Sequence, residues 1–249
     1  MSDARFDPDF TILEETGDYI VVDKPAPLQV HPKVPGGPPT LWDGLKDLLA
    51  FELANGGQVS IINRLDRETS GVTLVAKHSA AARTFGIAMM QRAFHKTYHA
   101  IVLGWPDWET MDLDAPIRRK GEFTDSPIWV KQIVHPEGAP CQTNFRLLKR
   151  SMLRDQRVAL VEARPMTGRM HQLRVHLAHL GHPILGDKIY GPDETCYLDF
   201  IETGWTPDLE RRLLLDRQAL HASQLCIDSP DLTRTWTAPM PPSLAAIID

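Results

Sequence analysis

The residues best suited to chemistry in this 249-residue chain lie between Asn63 and Gly71, where Asp66 stands between Arg64 and Arg67. Flanking guanidinium groups lower a carboxylate pKa by roughly 1 to 3 units from about 3.9, so we expect Asp66 to be ionised at neutral pH. An ionised carboxylate held in a turn can act as a nucleophile. A structural alternative is that Asp66 and Thr69 only cap a turn or the start of a helix.

A second candidate group is Arg174, in a segment that predicts a helix beginning near Thr167 and ending before Pro183. The predicted apolar stripe of this helix consists of Met170, Leu173, Leu177 and Leu180. Arg174 lies next to this stripe, and a guanidinium at the edge of a buried face needs an anionic partner. We predict that Asp66 is this partner.

Composition limits how such a protein could bind an anionic partner. The net charge of -5 and the pI of about 6.1 argue against a generally cationic coat for nucleic acid. Binding would have to use a local basic patch, and the proposed patch consists of Arg146, Lys149, Arg150, Arg154, Arg157, Arg164, Arg169, Arg174 and Lys188. The alternative is that these residues decorate separate solvated faces.

Cysteine and histidine usage argues against a disulfide framework and a metal site. The three cysteines, Cys141, Cys196 and Cys226, are far apart and show no C-x-x-C spacing, which favours a reducing compartment. Four histidines, His171, His176, His179 and His182, lack the H-E-x-x-H pattern, so hydrogen-bonded or solvated histidines are favoured over a zinc site. No signal-peptide core and no apolar run of about 20 residues is present, and we expect a cytoplasmic protein without a membrane span.

The elements that must position these residues alternate between strands and helices. Predicted strands are 10–15, 19–23, 71–77, 94–104, 114–117, 127–134, 141–150, 156–164 and 220–230, and predicted helices are 40–53, 79–92 and 167–181. Ser79 is the predicted cap of the second helix, and 193–207 is predicted to be an exposed acidic loop. This order favours an α+β fold with a mixed, mainly antiparallel central sheet and flanking helices.

Three motifs in this order resemble those of the RluA-type pseudouridine synthases. The sequence NRLDRETSG at 63–71 is similar to the H-R-L-D-x-x-T-S-G signature, with Asn63 where the family usually has His. The sequence KTYHAIVLG at 96–104 resembles K-x-Y-x-A-x-V-x-G, and GRMHQLRVH at 168–176 resembles G-R-x-H-Q-x-R-V-H, with Met170 where Thr is frequent. The likeness extends from about Ile12 to Pro230.

The resemblance implies roles for individual residues. Asp66 would be the catalytic nucleophile, Tyr98 the ring that stacks on the target uracil, and Arg174 the partner of the catalytic acid. Substrate-binding positions implied in the same way are Arg64, Leu65, Arg67, Thr69, Gly71, Lys96, Arg169, His171 and Leu173. Leu173 would pack beneath the site, and the Asn63 departure would affect local support or RNA contact.

The resemblance also implies an activity and a partner. It implies isomerisation of specific uridines to pseudouridine in structured RNA, in a stem-loop of rRNA or tRNA with a flipped uridine, without cofactor or metal. We expect a monomer with a flexible tail at 1–10 and one catalytic domain at 11–249, without an N-terminal S4-like module. Two other interpretations stay open: a non-catalytic RNA-binding or chaperone protein, and a carboxylate-dependent hydrolase.

Overall fold

A computed structural model describes residues 10–34, 36–230 and 232–249 of the chain. The chain forms two compact units, the first built from Met1–Lys96 and Ala222–Pro239 and the second from Thr97–His221 and Met240–Asp249. The tail predicted at 1–10 lies outside the described residues except for Phe10.

The first unit combines antiparallel strands with three helices. Its elements are β1 (Thr11–Glu15), β2 (Tyr19–Lys24), α1 (Leu41–Leu48), α2 (Ala50–Ala54), β3 (Ser60–Ile61), β4 (Ser70–Ala76), α3 (Ser79–Met90) and β12 (Leu232–Thr237). Strand β2 pairs with β1 on one edge and with β4 on the other, and β3 also pairs with β4. Helix α3 packs Ala81, Phe85 and Ala88 onto a core that includes Val21 and Leu74.

The second unit contains a longer antiparallel ladder and a separate hairpin. Its elements are β6 (Thr110–Asp114), β7 (Ile117–Arg119), β8 (Gln132–Val134), β9 (Gln142–Leu153), β10 (Gln156–Pro165), α4 (Gln172–His179), α5 (Thr195–Thr203), α6 (Pro207–Leu213) and α7 (Pro242–Ile248). Strands β5 (Phe94–Leu103) and β11 (Leu220–Ser229) contain residues of both units. Strand β10 pairs with β5 and β9, β9 pairs with β6, and β7 pairs with β8.

The core of the second unit holds α4 in place. Leu173 and Leu177 of α4 are buried in one cluster with Ala100 of β5, Val161 of β10 and Phe145 of β9. Because these side chains come from the same face of three paired strands, α4 lies against a continuous apolar surface. The α+β class with mainly antiparallel strands and helices packed on them is therefore confirmed.

The predicted helix over 40–53 is interrupted. Thr40 caps α1 as predicted, with its hydroxyl accepting from Asp43 N at 3.4 Å while Thr40 N donates to Asp43 Oδ2 at 3.0 Å. Leu49 leaves helical geometry between α1 and α2, and Phe51 beyond it is 79% exposed. Of the apolar residues at helical spacing in 40–53, Leu41, Leu45 and Leu49 are buried, whereas Leu48 and Phe51 are exposed.

Other boundaries also differ from the sequence prediction. His78, rather than Ser79, caps α3, because its Nδ1 accepts from Ala81 N. The predicted acidic loop at 193–207 contains helix α5, which buries Cys196. Helix α4 begins at Gln172, because residues before it form a turn in which His171 has a φ of 56°, and Met170 is consequently 50% exposed.

Within the described residues, no helix is both long enough and apolar enough to cross a membrane.

Candidate active site

The Asp66 turn is fixed to β4 by the side chain of Asn63. Asn63 is 5% exposed, and its Nδ2 donates to Val72 O at 2.9 Å while its Oδ1 accepts from Leu74 N at 2.7 Å. The preceding Ile62 N donates to Leu74 O at 2.8 Å. An amide can satisfy a strand edge in this way because it carries both a donor and an acceptor. The position where the family usually has His is therefore one of local support.

A buried lysine fixes the other side of the same turn. Lys24, at the end of β2, is fully buried, and its Nζ donates to Pro25 O at 2.8 Å, Leu28 O at 2.9 Å and Arg67 O at 3.3 Å. Leu28 N also donates to Arg67 O, at 2.9 Å. The Arg67 carbonyl, next to Asp66 in the chain, is thus held by two donors, one at the end of β2 and one in the loop after it. Lys24 was not among the predicted site residues, although a lysine directly after a predicted buried strand was a visible signal.

Gly71 allows the turn to approach β11 closely. Its φ is 117°, and a Cβ at this position would lie 2.2 Å from Ala222 O. No other residue fits both conditions. Leu65 and Thr69 are also buried, at 8% and 2% exposure, so these three predicted binding positions lie in the packed part of the turn.

Asp66 itself is partly exposed in a turn closed by Thr69 N donating to Asp66 O at 3.1 Å. No helix begins here, since the turn leads into β4, and the helix-cap alternative is therefore wrong. The side chain of Arg67 is 49% exposed, and its Nη1 lies 3.8 Å from Glu68 Oε1.

Arg64 is exposed, and among the residues that the structure describes it has no hydrogen bond or ion pair. Burial and the nearby positive charge of Arg64 lower the pKa of His31. The turn thus presents a carboxylate and a guanidinium that is available to a ligand.

Lys96 follows the first unit's last helix, on β5. Burial lowers the pKa of its ammonium, and within residues 10–34, 36–230 and 232–249 no acceptor pairs with it. A partly buried cation without a counter-charge is a suitable ligand for an anion such as phosphate.

In the second unit, Arg174 is fixed by Asp187. Arg174 Nε donates to Asp187 Oδ2 at 2.6 Å and Nη2 donates to Oδ1 at 2.9 Å, and the two residues are 6% and 1% exposed. Asp187 Oδ1 also accepts from Ile189 N and Tyr190 N. Burial opposes ionisation of Asp187, but Arg174 and these amides outweigh it and hold the pKa of the carboxyl below its usual value. Asp187 was not among the predicted site residues, and it holds Arg174 through Nε and Nη2.

Tyr190 links Arg174 to His171. The Arg174 Cζ lies 5.0 Å from the Tyr190 ring centroid, and His171 Nδ1 and Tyr190 Oη are joined by a hydrogen bond of 2.8 Å. Gln132 N donates to the same phenol oxygen at 2.9 Å. His171 is therefore oriented although it lies in a turn.

A buried hydrogen-bond network positions Arg169. Gln172 Oε1 accepts from Arg169 N at 3.0 Å and from Thr167 Oγ1 at 2.9 Å, and Gln172 Nε2 donates to Thr143 Oγ1 at 2.9 Å. His176 continues the network through a 2.9 Å hydrogen bond to Thr143 Oγ1. Arg169 remains exposed, with its Nε donating to Pro140 O. Within the described part of the chain no group of three or more His, Cys, Asp or Glu could hold a metal ion.

Tyr98 lies on β5 opposite Ala163 of β10. It is partly buried and packs on the cluster that contains Leu173. The second unit therefore brings Tyr98, Leu173 and Arg174 onto the α4 side of its ladder, while Asp66, Arg64 and Lys96 belong to the first unit.

Only some residues of the predicted basic patch lie on the surface. Arg174 and Lys188 are buried, and Arg146 and Arg164 both pair with Glu162 at 3.0 Å. These basic residues were predicted to form one local patch. Strand alternation directs them to different faces, and acidic partners neutralise several of them.

Comparison with known proteins identifies the family. A family model described as RNA pseudouridylate synthase matches residues 18–179. The chain belongs to this family. The match includes residues of both units and all three motifs, and the predicted RluA-type resemblance is confirmed.

Relatives and solved structures of this pseudouridine synthase family agree. The chain is 38% identical over 231 residues to an uncharacterized RNA pseudouridine synthase of Chloroflexus aurantiacus, covering 90% of this chain and 64% of the relative. It is 32% identical over 260 residues to ribosomal large subunit pseudouridine synthase D of Escherichia coli, covering 99% of this chain and 73% of the relative. The solved human RNA pseudouridylate synthase domain containing 1 has a TM-score of 0.73 at 25% identity, covering 96% of this chain and 88% of that one.

Proposed function

We propose that this chain isomerises specific uridines of structured RNA to pseudouridine, with Asp66 as the nucleophile. In this reaction the bond between uracil N1 and ribose C1′ breaks, a bond between C5 and C1′ forms, C5 loses its proton and N1 gains one. Reactants and product have equal mass and oxidation state, so the reaction requires no redox step and no external energy source.

Three side chains divide the catalytic work in this proposal. Asp66 attacks the ribose or the base and anchors one fragment during detachment. Tyr98 stacks on the loosened uracil, a contact worth about 1 to 3 kcal/mol, and assists removal of the C5 proton. Arg174 pairs with Asp66 and keeps it ionised. The Asp187 pair supports this role, because it fixes the orientation of the Arg174 guanidinium through Nε and Nη2.

The RNA is held by groups around this centre. The target uridine leaves its stack, which costs a few kcal/mol and favours loops over duplex. Arg64 fills the vacated space or binds a phosphate, which its exposure without a partner in the described residues supports. Lys96, Arg169 and His171 contact the RNA backbone. The packed positions Leu65, Thr69, Gly71 and Leu173 shape the pocket from beneath, and the exposed Arg67 contacts the RNA.

Ribosomal RNA is the substrate class that the relatives favour, since several are named ribosomal large subunit pseudouridine synthase D. Transfer RNA is the alternative that mapping would identify. We further propose that residues 11–249 act as one catalytic domain of a cytoplasmic monomer. The three cysteines are free thiols, which supports a reducing compartment.

The observation that carries the proposal is the fixation of the Asp66 turn. Asn63 and Lys24 hold its main chain from two sides, while Asp66 between them remains partly exposed. A nucleophile needs this combination of a fixed backbone and an accessible side chain.

The test is Asp66→Asn, which keeps the size of the side chain and removes the carboxylate. We expect pseudouridine formation on a transcript of the large-subunit rRNA to fall by at least about 10³-fold while RNA binding persists. The matched control is Glu202→Gln, an exposed acid-to-amide change on α5 that should leave the rate unchanged. In a deletion strain, mapped pseudouridines should return with the wild type and not with the Asp66 variant.

The same assay separates the alternatives. A hydrolase would change the mass of its product, whereas isomerisation leaves the RNA mass unchanged. A non-catalytic RNA-binding protein would give no pseudouridine with the wild type. Full activity of Asp66→Asn would refute the nucleophile assignment.

A further inference from the structure

An exposed tryptophan on the segment between β7 and β8 has no role in the proposed chemistry. Trp129 is 77% exposed, although tryptophan is usually buried to a large extent. The Cζ of Arg119 lies 3.8 Å from the centroid of its ring. We call this pair, Arg119 and Trp129, the Trp129 platform.

The platform is rigid because the residues on both sides of Trp129 are anchored. Ile128 is 1% exposed in a cluster with Val175 of α4 and with Tyr190, and Val130 packs on the same cluster. With both chain neighbours fixed on the core, the indole of Trp129 is directed outward.

Two lysines tie the same segment to the start of α5. Lys120 Nζ and Lys131 Nζ lie 3.0 Å and 2.9 Å from Glu194 Oε2. A surface aromatic held in this way loses little conformational entropy when a ligand stacks on it.

The chemistry of the platform favours a nucleobase. A guanidinium already covers one face of the indole, so the remaining exposed surface is a flat π face polarised by a cation. The surroundings are ion pairs, of Arg118 with Glu122 and of Lys120 and Lys131 with Glu194, whereas protein-binding sites present contiguous apolar patches of several hundred Å². Aromatic rings and guanidinium planes are the groups on which unpaired RNA bases stack.

We propose that the Trp129 platform stacks an unpaired base of the RNA substrate other than the target uridine. This inference rests on the proposed function for the identity of the RNA. The platform is connected to the site through Tyr190, which packs with Ile128, accepts from Gln132 N and is hydrogen bonded to His171. A base bound on Trp129 therefore fixes the RNA relative to α4.

The test compares binding of a fluorescently labelled RNA stem-loop with that of a duplex of the same stem. Trp129→Ala should weaken stem-loop binding by at least about fivefold, the low end of stacking by one base, and leave duplex binding unchanged. Trp129→Phe, which keeps an aromatic face, should restore most of the affinity. The matched control is Phe51→Ala on α2, because Phe51 is an equally exposed aromatic at 79%, and this variant should bind like the wild type.

The outcomes distinguish this inference from the proposed function. Wild-type affinity of Trp129→Ala for the stem-loop overturns the platform, as does equal wild-type affinity for stem-loop and duplex. Pseudouridine formation by the wild type is measured separately on the same stem-loop. Loss of binding in Trp129→Ala, without any wild-type pseudouridine, supports the platform and contradicts the proposed function. Thermal melting of each variant confirms that the fold is intact.

Discussion

Arg174 and Asp187 form the most completely desolvated ion pair of the site. Both are almost fully buried, and the carboxylate is further satisfied by the amides of Ile189 and Tyr190. Removing two charges from water is costly, and such a pair is retained only when its hydrogen bonds are nearly complete. Its value to the protein is thus the orientation of Arg174 more than net stability.

Asp187→Asn tests this pair through the pH dependence of stability. Removing the Asp187 carboxylate deprives a buried guanidinium of this counter-charge, so the free energy of unfolding at pH 7 should fall by about 3 to 5 kcal/mol. The pKa of Asp187 is lowered in the folded state, so its stabilising contribution is fully present above the unfolded pKa of about 3.9. That contribution is lost as the pH falls through the folded pKa.

The measurement is chemical denaturation of wild type and variant from pH 7 to below pH 4. The difference between the two should be constant near neutrality and shrink as the medium becomes acidic. Asp193→Asn, which removes an exposed acid paired with Arg212, is the control and should cost much less. A difference between wild type and Asp187→Asn that stays constant down to the acid limit would contradict the lowered pKa.

Asn63 shows what the sequence can and cannot reveal about one residue. The motif around it identified the candidate site, and its departure from the family pattern was visible. The sequence did not show why Asn can replace His at this position. The Asn63 side chain bonds two backbone atoms of β4, Val72 O and Leu74 N, which only the folded chain brings next to it.

At the scale of elements, the Lys24 side chain ties the loop after β2 to the Asp66 turn. Three carbonyls, of Pro25, Leu28 and Arg67, converge on one buried ammonium. Each carbonyl would lose a donor if the ammonium were removed, although Arg67 O would keep the bond from Leu28 N, and an unsatisfied buried acceptor costs about 1 to 3 kcal/mol. A shift of about 1 Å in a catalytic group can cost 10²-fold in rate.

Lys24→Met should therefore lower kcat by at least about tenfold with little change in KM for RNA. Lys24→Arg, which keeps the charge and the donors, should recover part of the rate. The matched control is Lys77→Met in the same unit, since Lys77 is a buried lysine that pairs with Glu15 at 2.9 Å and Glu52 at 2.6 Å, away from the turn.

Both lysine variants should lose stability, but only the Lys24 variant should lose kcat beyond what its folded fraction explains. Steady-state kinetics at saturating RNA, corrected for the folded fraction, provide the measurement. Equal kcat in the two variants would reduce Lys24 to a purely structural residue.

Elements with a strong period or cap were predictable from the sequence, and irregular ones were not. The bounds of β5 closely match those predicted from its alternation of apolar and polar residues. Helix α1 begins where the Thr40 cap predicts. The start of α4 was placed too early, because the Gln172 side chain orders residues 167–171 as a turn. Asp187 and Tyr190 lie beyond the end of α4, with Asp187 13 positions after Arg174, so helical spacing does not indicate them as partners.

At the scale of the whole molecule, charge is balanced pair by pair. The net charge is -5, so no long-range attraction draws RNA to the protein. Several basic residues of the predicted patch are neutralised by acids, among them Arg146 and Arg164 by Glu162 and Arg150 by Glu109. RNA binding must then depend on a few phosphate contacts and on stacking.

This balance predicts a shallow dependence of RNA affinity on salt. If Arg64, Lys96 and Arg169 each neutralise one phosphate, the slope of log K against log salt concentration should be about -2 to -3. Lys96→Met should reduce the slope by roughly 0.7 to 0.9, because it removes one contact. The measurement is fluorescence anisotropy of a labelled stem-loop between 50 and 300 mM salt.

A charge control tests whether the effect is local. Glu202→Gln makes the net charge one unit more positive, as adding a cation would. Because Glu202 is exposed on α5 and not among the assigned phosphate contacts, we expect the salt slope to stay unchanged. A wild-type slope steeper than about -6 would mean that many more cations touch the RNA than the three assigned. An unchanged slope in Lys96→Met would remove Lys96 from the phosphate contacts, because each phosphate that a cation neutralises releases a counterion from the RNA.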